Sequence, residues 1–431
     1  MKFISTRGAA PAVGLSEALR AGLAPDGGLY VPEAFPQLDA RDFDGAESLA
    51  AVAARLLAPY FAGDALAGEL PAICRDALVL PVPVLALDDR TQVLELFHGP
   101  TAAFKDFGAR FLAACFARVR GADEAPITIL VATSGDTGSA VAAAFHRRPG
   151  FRVAILYPEG RVSPRQAHQL GCLGDNVHAF RVAGSFDDCQ RLVKQAFADT
   201  GLRERTPLAS ANSISLGRLL PQAAYYAHAA LAHARRGGAP LGFVVPTGNL
   251  GNAFAALMAR AMGLPIGAVH LATNANRTLT DFLASARYEG RASVPTMANA
   301  MDVGDPSNAE RLRWLYPEIE SLRAVVSADS VDDATIAARI REGETRYGQV
   351  WCPHTACAVE VLERRRAAGD AVPWCVVATA HPAKFESVVE PLVGHAVALP
   401  PALAAMLARP ARDATLLAEY GLLRERLLRL A

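Results

Sequence analysis

The 431-residue sequence has no surplus of either charge, with 43 Lys plus Arg against 43 Asp plus Glu. A chain without a net field offers no electrostatic footprint for nucleic acid or for an anionic membrane surface. No apolar run approaches the roughly 18 to 20 residues of a membrane helix, and residues 1–8 lack the apolar stretch of a signal peptide. The seven cysteines contain no C-x-x-C pair. The one Cys/His cluster, Cys352-Pro353-His354-Thr355-Ala356-Cys357, lacks the second ligand pair of a structural zinc site. The cysteines therefore read as reduced, mostly buried small hydrophobes in a cytoplasmic protein, with no metal. Also missing are a Walker Gly-Lys-Ser/Thr ending, a complete G-x-G-x-x-G, a Ser/His/Asp signature, a carboxylate dyad, repeats and low-complexity tracts. Small-molecule chemistry remains.

What is present is a chain 52% hydrophobic, enough for a sizeable core. Residues 1–85 read as a mainly helical opening unit, with helices over 15–22 and 49–58, the second stopped by Pro59. Between them Asp26-Gly27-Gly28 is a turn signal leading into a short extended piece. From about residue 125 the pattern becomes strand, Gly-containing loop, helix. Apolar runs at 127–132, 153–157, 243–245, 268–272 and 375–378 alternate with helices such as 216–234 and 252–262. That alternation predicts an α/β fold with mainly parallel, open sheets and flanking helices. The boundaries expected are a helical subdomain at 1–85, a small α/β lobe at 86–215, a large α/β lobe at 216–400, and a helical extension at 401–431. Ligands of such sheets bind beyond the carboxyl ends of the strands, so loops 133–139, 246–252 and 379–384 should converge on one cleft. The weakly periodic segment 283–317 reads as a surface insertion whose 299–304 stretch can line that cleft.

Lys105 stands between Phe104 and Phe107, after a Gly99-Pro100 turn and at the start of an apolar helical run. A lysine desolvated there tends towards the neutral amine that attacks carbonyls; the plain alternative is a snorkelling lysine at a helix start. Val245-Pro246-Thr247-Gly248-Asn249-Leu250-Gly251-Asn252 follows a strand and opens a helix. Its backbone N–H groups can hold a phosphate, with Gly251 expected at positive φ. A strand-to-helix turn capped by Asn is the alternative. Thr133 to Ser139 repeats that placement and adds hydroxyls. Asn212, Ser213 and Arg218 form another polar cluster, in which Arg218 is either an anion clamp or a solvated helix arginine. After the last good strand come Thr379, whose hydroxyl suits a heterocycle nitrogen, His381, which reads as a capped loop residue, and Lys384, which suits an acidic substrate. An anion-binding loop, a semi-buried lysine and a hydroxyl are the three contacts pyridoxal phosphate needs.

His98-Gly99-Pro100-Thr101-x-x-Phe104-Lys105-Asp106, Thr133-Ser134-Gly135-Asp136-Thr137-Gly138, Gly248-Asn249-x-Gly251-Asn252 and Thr379-Ala380-His381-Pro382-Ala383-Lys384-Phe385 together resemble the threonine synthase family, in the longer form of many bacteria and fungi. Ser5-Thr6-Arg7-Gly8, Asp26-Gly27-Gly28-Leu29-Tyr30 and residues 299–304 match as well, so the resemblance spans nearly the whole chain in order. It implies a fold type II pyridoxal 5'-phosphate enzyme, tryptophan synthase β-like, that converts O-phospho-L-homoserine and water to L-threonine and phosphate, the last step of threonine biosynthesis. It implies Lys105 as the Schiff-base lysine and proton shuttle, Gly248, Asn249, Leu250, Gly251 and Asn252 around the cofactor phosphate, and Thr379 at the pyridine nitrogen. Asp136 falls near the phenolic oxygen, where related enzymes usually place Asn and where a carboxylate would be repelled unless protonation intervenes. Ser134, Thr137, Asn212, Ser213, Arg218 and Lys384 are the candidates for the substrate's carboxylate and phosphate. Ser215 stands where the family pattern has Asn, and Leu250 where it has Phe. A monomer or homodimer is expected. Two alternatives stay open: a phospholyase or dehydratase of the same fold that ends at a 2-oxo acid, and a catalytically silent cofactor sensor.

Overall fold

The computed structural model describes residues 1–121, 124–133 and 135–430. Two sheets carry the architecture. In the six-stranded sheet the order is Val326–Ser330, Ile266–Thr273, Leu241–Pro246, Trp374–Ala378, Thr91–Glu95 and Val84–Asp88, parallel except for the last pair. The five-stranded sheet, parallel throughout, runs Asp413–Leu417, Val177–Ala183, Phe151–Pro158, Ile127–Ala132 and Leu208–Ala209. The central strands are apolar except for Thr128 and buried almost throughout, as strands covered by helices on both faces must be. A two-stranded antiparallel ribbon, Phe3–Ser5 with Tyr30–Pro32, belongs to the helical opening unit.

Strand pairing redraws the expected boundaries. Residues 84–95 pair within the six-stranded sheet, although their sequence neighbours build the five-stranded one, and Asp413–Leu417 closes an edge of the five-stranded sheet. The region after 401, expected as a helical extension, is a helix, a strand and a helix; Leu416 and Leu417 align with Val182 and Ala183. Pro59 does not stop the second helix, which runs Leu49–Phe61. So close to the end, the missing N–H costs one bond and the last turn survives. Pro221 does interrupt the expected 216–234 helix, which splits into Leu216–Leu219 and Gln222–Arg235.

Candidate active site

Lys105 is the first residue of the helix Lys105–Val119. Its loop is tied to the loop after the last central strand: Phe104 N donates to Thr379 O at 2.8 Å, His381 N donates to Ala102 O at 3.0 Å, and Ala103 bridges Ala380. These bonds continue the pairing of Thr91–Glu95 with Trp374–Ala378 past the strand ends, so the lysine and Thr379 emerge side by side at the carboxyl edge. Phe107 is fully buried, and the Lys105 Nζ lies 5.8 Å from the Phe104 ring centroid. Burial lowers the Lys105 amine to about 8; Asp136 opposes the shift, while the cations Arg218 and Lys384 reinforce it. The Lys105 side chain as a whole is half-buried, set against the fully buried Phe107.

The loop before the helix Gly251–Ala261 makes a close backbone contact at its first glycine only. A Cβ on Gly248 would lie 2.7 Å from Met301 Cα, so only glycine fits beneath the 299–301 turn. The positive φ expected at Gly251 falls instead on Leu250, at 64°. A Cβ on Gly251 would meet nothing nearer than Asn308 Nδ2 at 3.4 Å. Asn249 anchors the loop, donating to Ser213 Oγ at 2.7 Å and accepting from Ser307 N at 2.6 Å. Asn252 is buried, with Tyr225 and Tyr226 both donating to its Oδ1, and its Nδ2 has no partner among the described residues.

Asp136 opens the helix Asp136–Phe145 and is 4% exposed. Lys384, fully buried, places Nζ 2.8 Å from Asp136 Oδ1 and also donates to Thr101 O at 2.6 Å. Burial by itself would raise the Asp136 carboxyl, but Lys384 and then Lys105, with hydrogen bonds from Lys384 and Gln166, hold it well below the usual carboxylate range. Asp136 thus has a resident ammonium as its charge partner. Lys384, read from the sequence as a cation for the substrate, is already committed to Asp136. Next to it, Thr101 donates through N and Oγ1 to Asp106, whose carboxyl burial pushes up to about 6.

Arg218 is 1% exposed, so it is no solvated helix arginine. Its Nη1 donates to Ala211 O at 2.9 Å, its Nε has no partner, and no carboxylate lies within ion-pair distance among the described residues. Burial lowers it to about 10. A buried guanidinium without an anion is an invitation to one. Asn212 and Ser213 sit half-buried in the loop that Arg218 braces, and Thr137 is half-buried on the first turn of the Asp136 helix. Ser134 lies outside the described residues. His381 is the capped loop residue expected, its Nδ1 accepting from Ala383 N at 3.2 Å.

Sequence reasoning missed Gln166, His354 and Arg311. Gln166 Nε2 donates to Asp136 Oδ1 at 3.0 Å. His354 Nε2 accepts from Ala300 N at 3.1 Å, and burial lowers its ring to about 4, so it is neutral. Arg311 is fully buried and ties Tyr30 O, Ile214 O and Asn308 Oδ1 together. His354 sits in the cluster set aside for lacking zinc spacing, and no local pattern marks the other two. Within 299–304, Met301 packs on Gly248 and Asn299 Nδ2 reaches Gln166 Oε1 at 3.1 Å.

Comparison with known proteins accords with this geometry. Residues 91–381 match the family described as pyridoxal-phosphate dependent enzyme, residues 2–78 the threonine synthase N terminus, and residues 355–425 the threonine synthase C-terminal family. Threonine synthase of Serratia marcescens is 39% identical over 428 residues, 99% of this chain and 98% of that protein. The chain belongs to the threonine synthase family. The threonine synthase of Escherichia coli strain K12 is 38% identical, covering 99% of each chain. Among solved structures, the PLP-bound threonine synthase from Brucella melitensis superposes with a TM-score of 0.92 at 37% identity, covering 100% of this chain and 99% of that one. The Escherichia coli threonine synthase structure gives 0.91 at 35%, covering 100% of both. The fold is fold type II, and the cofactor of this threonine synthase is pyridoxal phosphate. The donor set fits that group: a desolvated amine, a helix-opening loop with glycine at its tight point, and the unpartnered buried amide of Asn252.

Proposed function

We propose that, in this threonine synthase, Lys105, residues 248–252 and Thr379 hold pyridoxal phosphate, and that Arg218, Ser213, Asn212, Thr137 and Ser134 take the anionic ends of O-phospho-L-homoserine. The observation that carries this division is the bond from Phe104 N to Thr379 O, which supports placing the reactive amine and the ring-nitrogen hydroxyl against one flat ligand. Asp136 would serve the phenolic oxygen of the bound cofactor, with Lys384 as its charge partner in place of a role for Lys384 on the substrate. The cofactor, when bound, supplies the electron sink that makes the substrate's α and β C–H bonds acidic.

The residues of the chain do the rest. Lys105 Nζ, poised near neutrality by burial, takes the α proton and then a β proton, and returns protons as the product forms. The Cγ–O bond breaks with its electron pair leaving on phosphate, and the buried Arg218 guanidinium offers that dianion charge-assisted hydrogen bonds. A water oxygen then bonds to Cβ and gives up its proton to the lysine. A neutral His354 beside these groups adds no competing charge. The seven unpaired, buried cysteines support a reducing compartment such as the cytoplasm.

Incubation with O-phospho-L-homoserine, assaying threonine and phosphate together, tests the reading. Equal molar yields are expected. Phosphate accompanied by 2-oxobutyrate without threonine would replace it with the phospholyase reading.

A further inference from the structure

We propose that Gln166 is a positioning residue of the reaction centre, a clasp that joins Asp136 to the 299–301 turn and keeps Asp136 Oδ1 committed to the protein. Gln166 is the third residue of the helix Pro164–Gly171, in a capping box with Ser163. Capping alone would explain a glutamine there: its backbone N donates to Ser163 Oγ at 3.2 Å, and its Oε1 accepts from Ser163 N at 3.0 Å. This side chain does two further things. Its Nε2 donates to Asp136 Oδ1 at 3.0 Å, and its Oε1 accepts a second bond, from Asn299 Nδ2 at 3.1 Å. With a carboxylate on one end and two N–H donors on the other, the amide fits only one way round. It is 1% exposed, and its bond to Asp136 is buried.

The consequence for Asp136 is geometric. Gln166 Nε2 and Lys384 Nζ both meet Oδ1, and neither uses Oδ2. The charged groups acting on Asp136 are Lys384 and Lys105, with the neutral His354, which accepts from Ala300 N, also facing them. Asn299 belongs to the turn whose Met301 backbone closes over Gly248. One amide therefore links the substrate-side loop to the cover of the phosphate-side loop. This rests on the assignment of Asp136 to the cofactor's phenolic oxygen.

The test uses holoenzyme of Gln166→Glu, Gln166→Met and Asp136→Asn, titrating the visible absorbance band from pH 6 to 10 and measuring KM for O-phospho-L-homoserine. Glutamate keeps an acceptor for Ser163 N and Asn299 but turns a carboxylate on Asp136, adding negative charge beside Lys384 and Lys105. Its band profile should move about one pH unit alkaline, with a melting temperature below wild type because the new carboxylate is buried against Asp136. Methionine removes the clasp without adding charge, so it should release cofactor several-fold faster on dialysis and leave the band profile in place. A Gln166→Glu profile that overlays wild type while Asp136→Asn moves would overturn the role of Gln166 alone. Equal shifts in both Gln166 variants would mark simple loosening and overturn it too. No change with Asp136→Asn would remove the placement of Asp136 on which the proposal stands.

Discussion

Gly248 faces the backbone of Met301 so closely that a methyl group would sit 2.7 Å from Met301 Cα. Gly251, three residues on, has open space by comparison. Gly248→Ala should therefore cost on the order of 1 to 3 kcal/mol through overpacking and lift the 299–301 turn, with loss of cofactor on dialysis. Gly251→Ala should keep it. Absorbance after dialysis, read beside the melting temperature of each variant, checks the pair; equal cofactor loss in both would contradict the contact.

Lys105 should be the residue that borohydride fixes to the cofactor, and Lys105→Ala should be inactive. Because burial lowers its amine to about 8, the neutral fraction rises tenfold per pH unit below that value and levels off above it. The rate at which added pyridoxal phosphate recolours depleted protein should follow the same curve. A midpoint near 10, the range of an ordinary lysine, would show that the amine is solvated.

The Asp136–Lys384 pair predicts a double-mutant result. Lys384→Met strands a buried carboxylate and should destabilise the protein by about 3 to 5 kcal/mol. Adding Asp136→Asn should recover most of that loss in denaturant unfolding. Additive losses in the double variant would mean the two groups are not coupled.

Arg218 should discriminate between substrates. Arg218→Met should lower kcat/KM on O-phospho-L-homoserine by ten- to a hundredfold, the size of one or two charge-assisted bonds. Slow turnover of serine or threonine, which carry no phosphate, should fall far less, and 2-oxobutyrate should leak in place of threonine. Equal losses on both kinds of substrate would make Arg218 a brace for the Ala211 carbonyl only.

The central strands and the lysine helix were legible because each is a long apolar run bounded by glycine or proline, a signal that survives tertiary context. The strand at 413–417 was not, because Asp413 to Leu417 is an edge that pairs on one side and carries little apolar periodicity of its own. Within the site, residues that stand in sequence motifs, such as Lys105, Asn252 and Thr379, could be named from the chain. Gln166 could not, since a glutamine at the third position of a helix already has a local explanation and its second and third partners come from residues 136 and 299. The same holds for Lys384: a lysine on a loop reads as a free cation until its carboxylate, 248 positions upstream, is folded against it.

The bond from Lys384 Nζ to Thr101 O spans 283 positions of chain, and the strand pairing beside it joins residues 91–95 to 374–378. A ribosome finishes the lysine loop long before it makes the loop that completes it. During synthesis Lys105 is therefore an ordinary amine in an unfinished sheet, and colour, reactivity and protection from stray carbonyl compounds all arrive together, once the segment through Phe385 has emerged and docked.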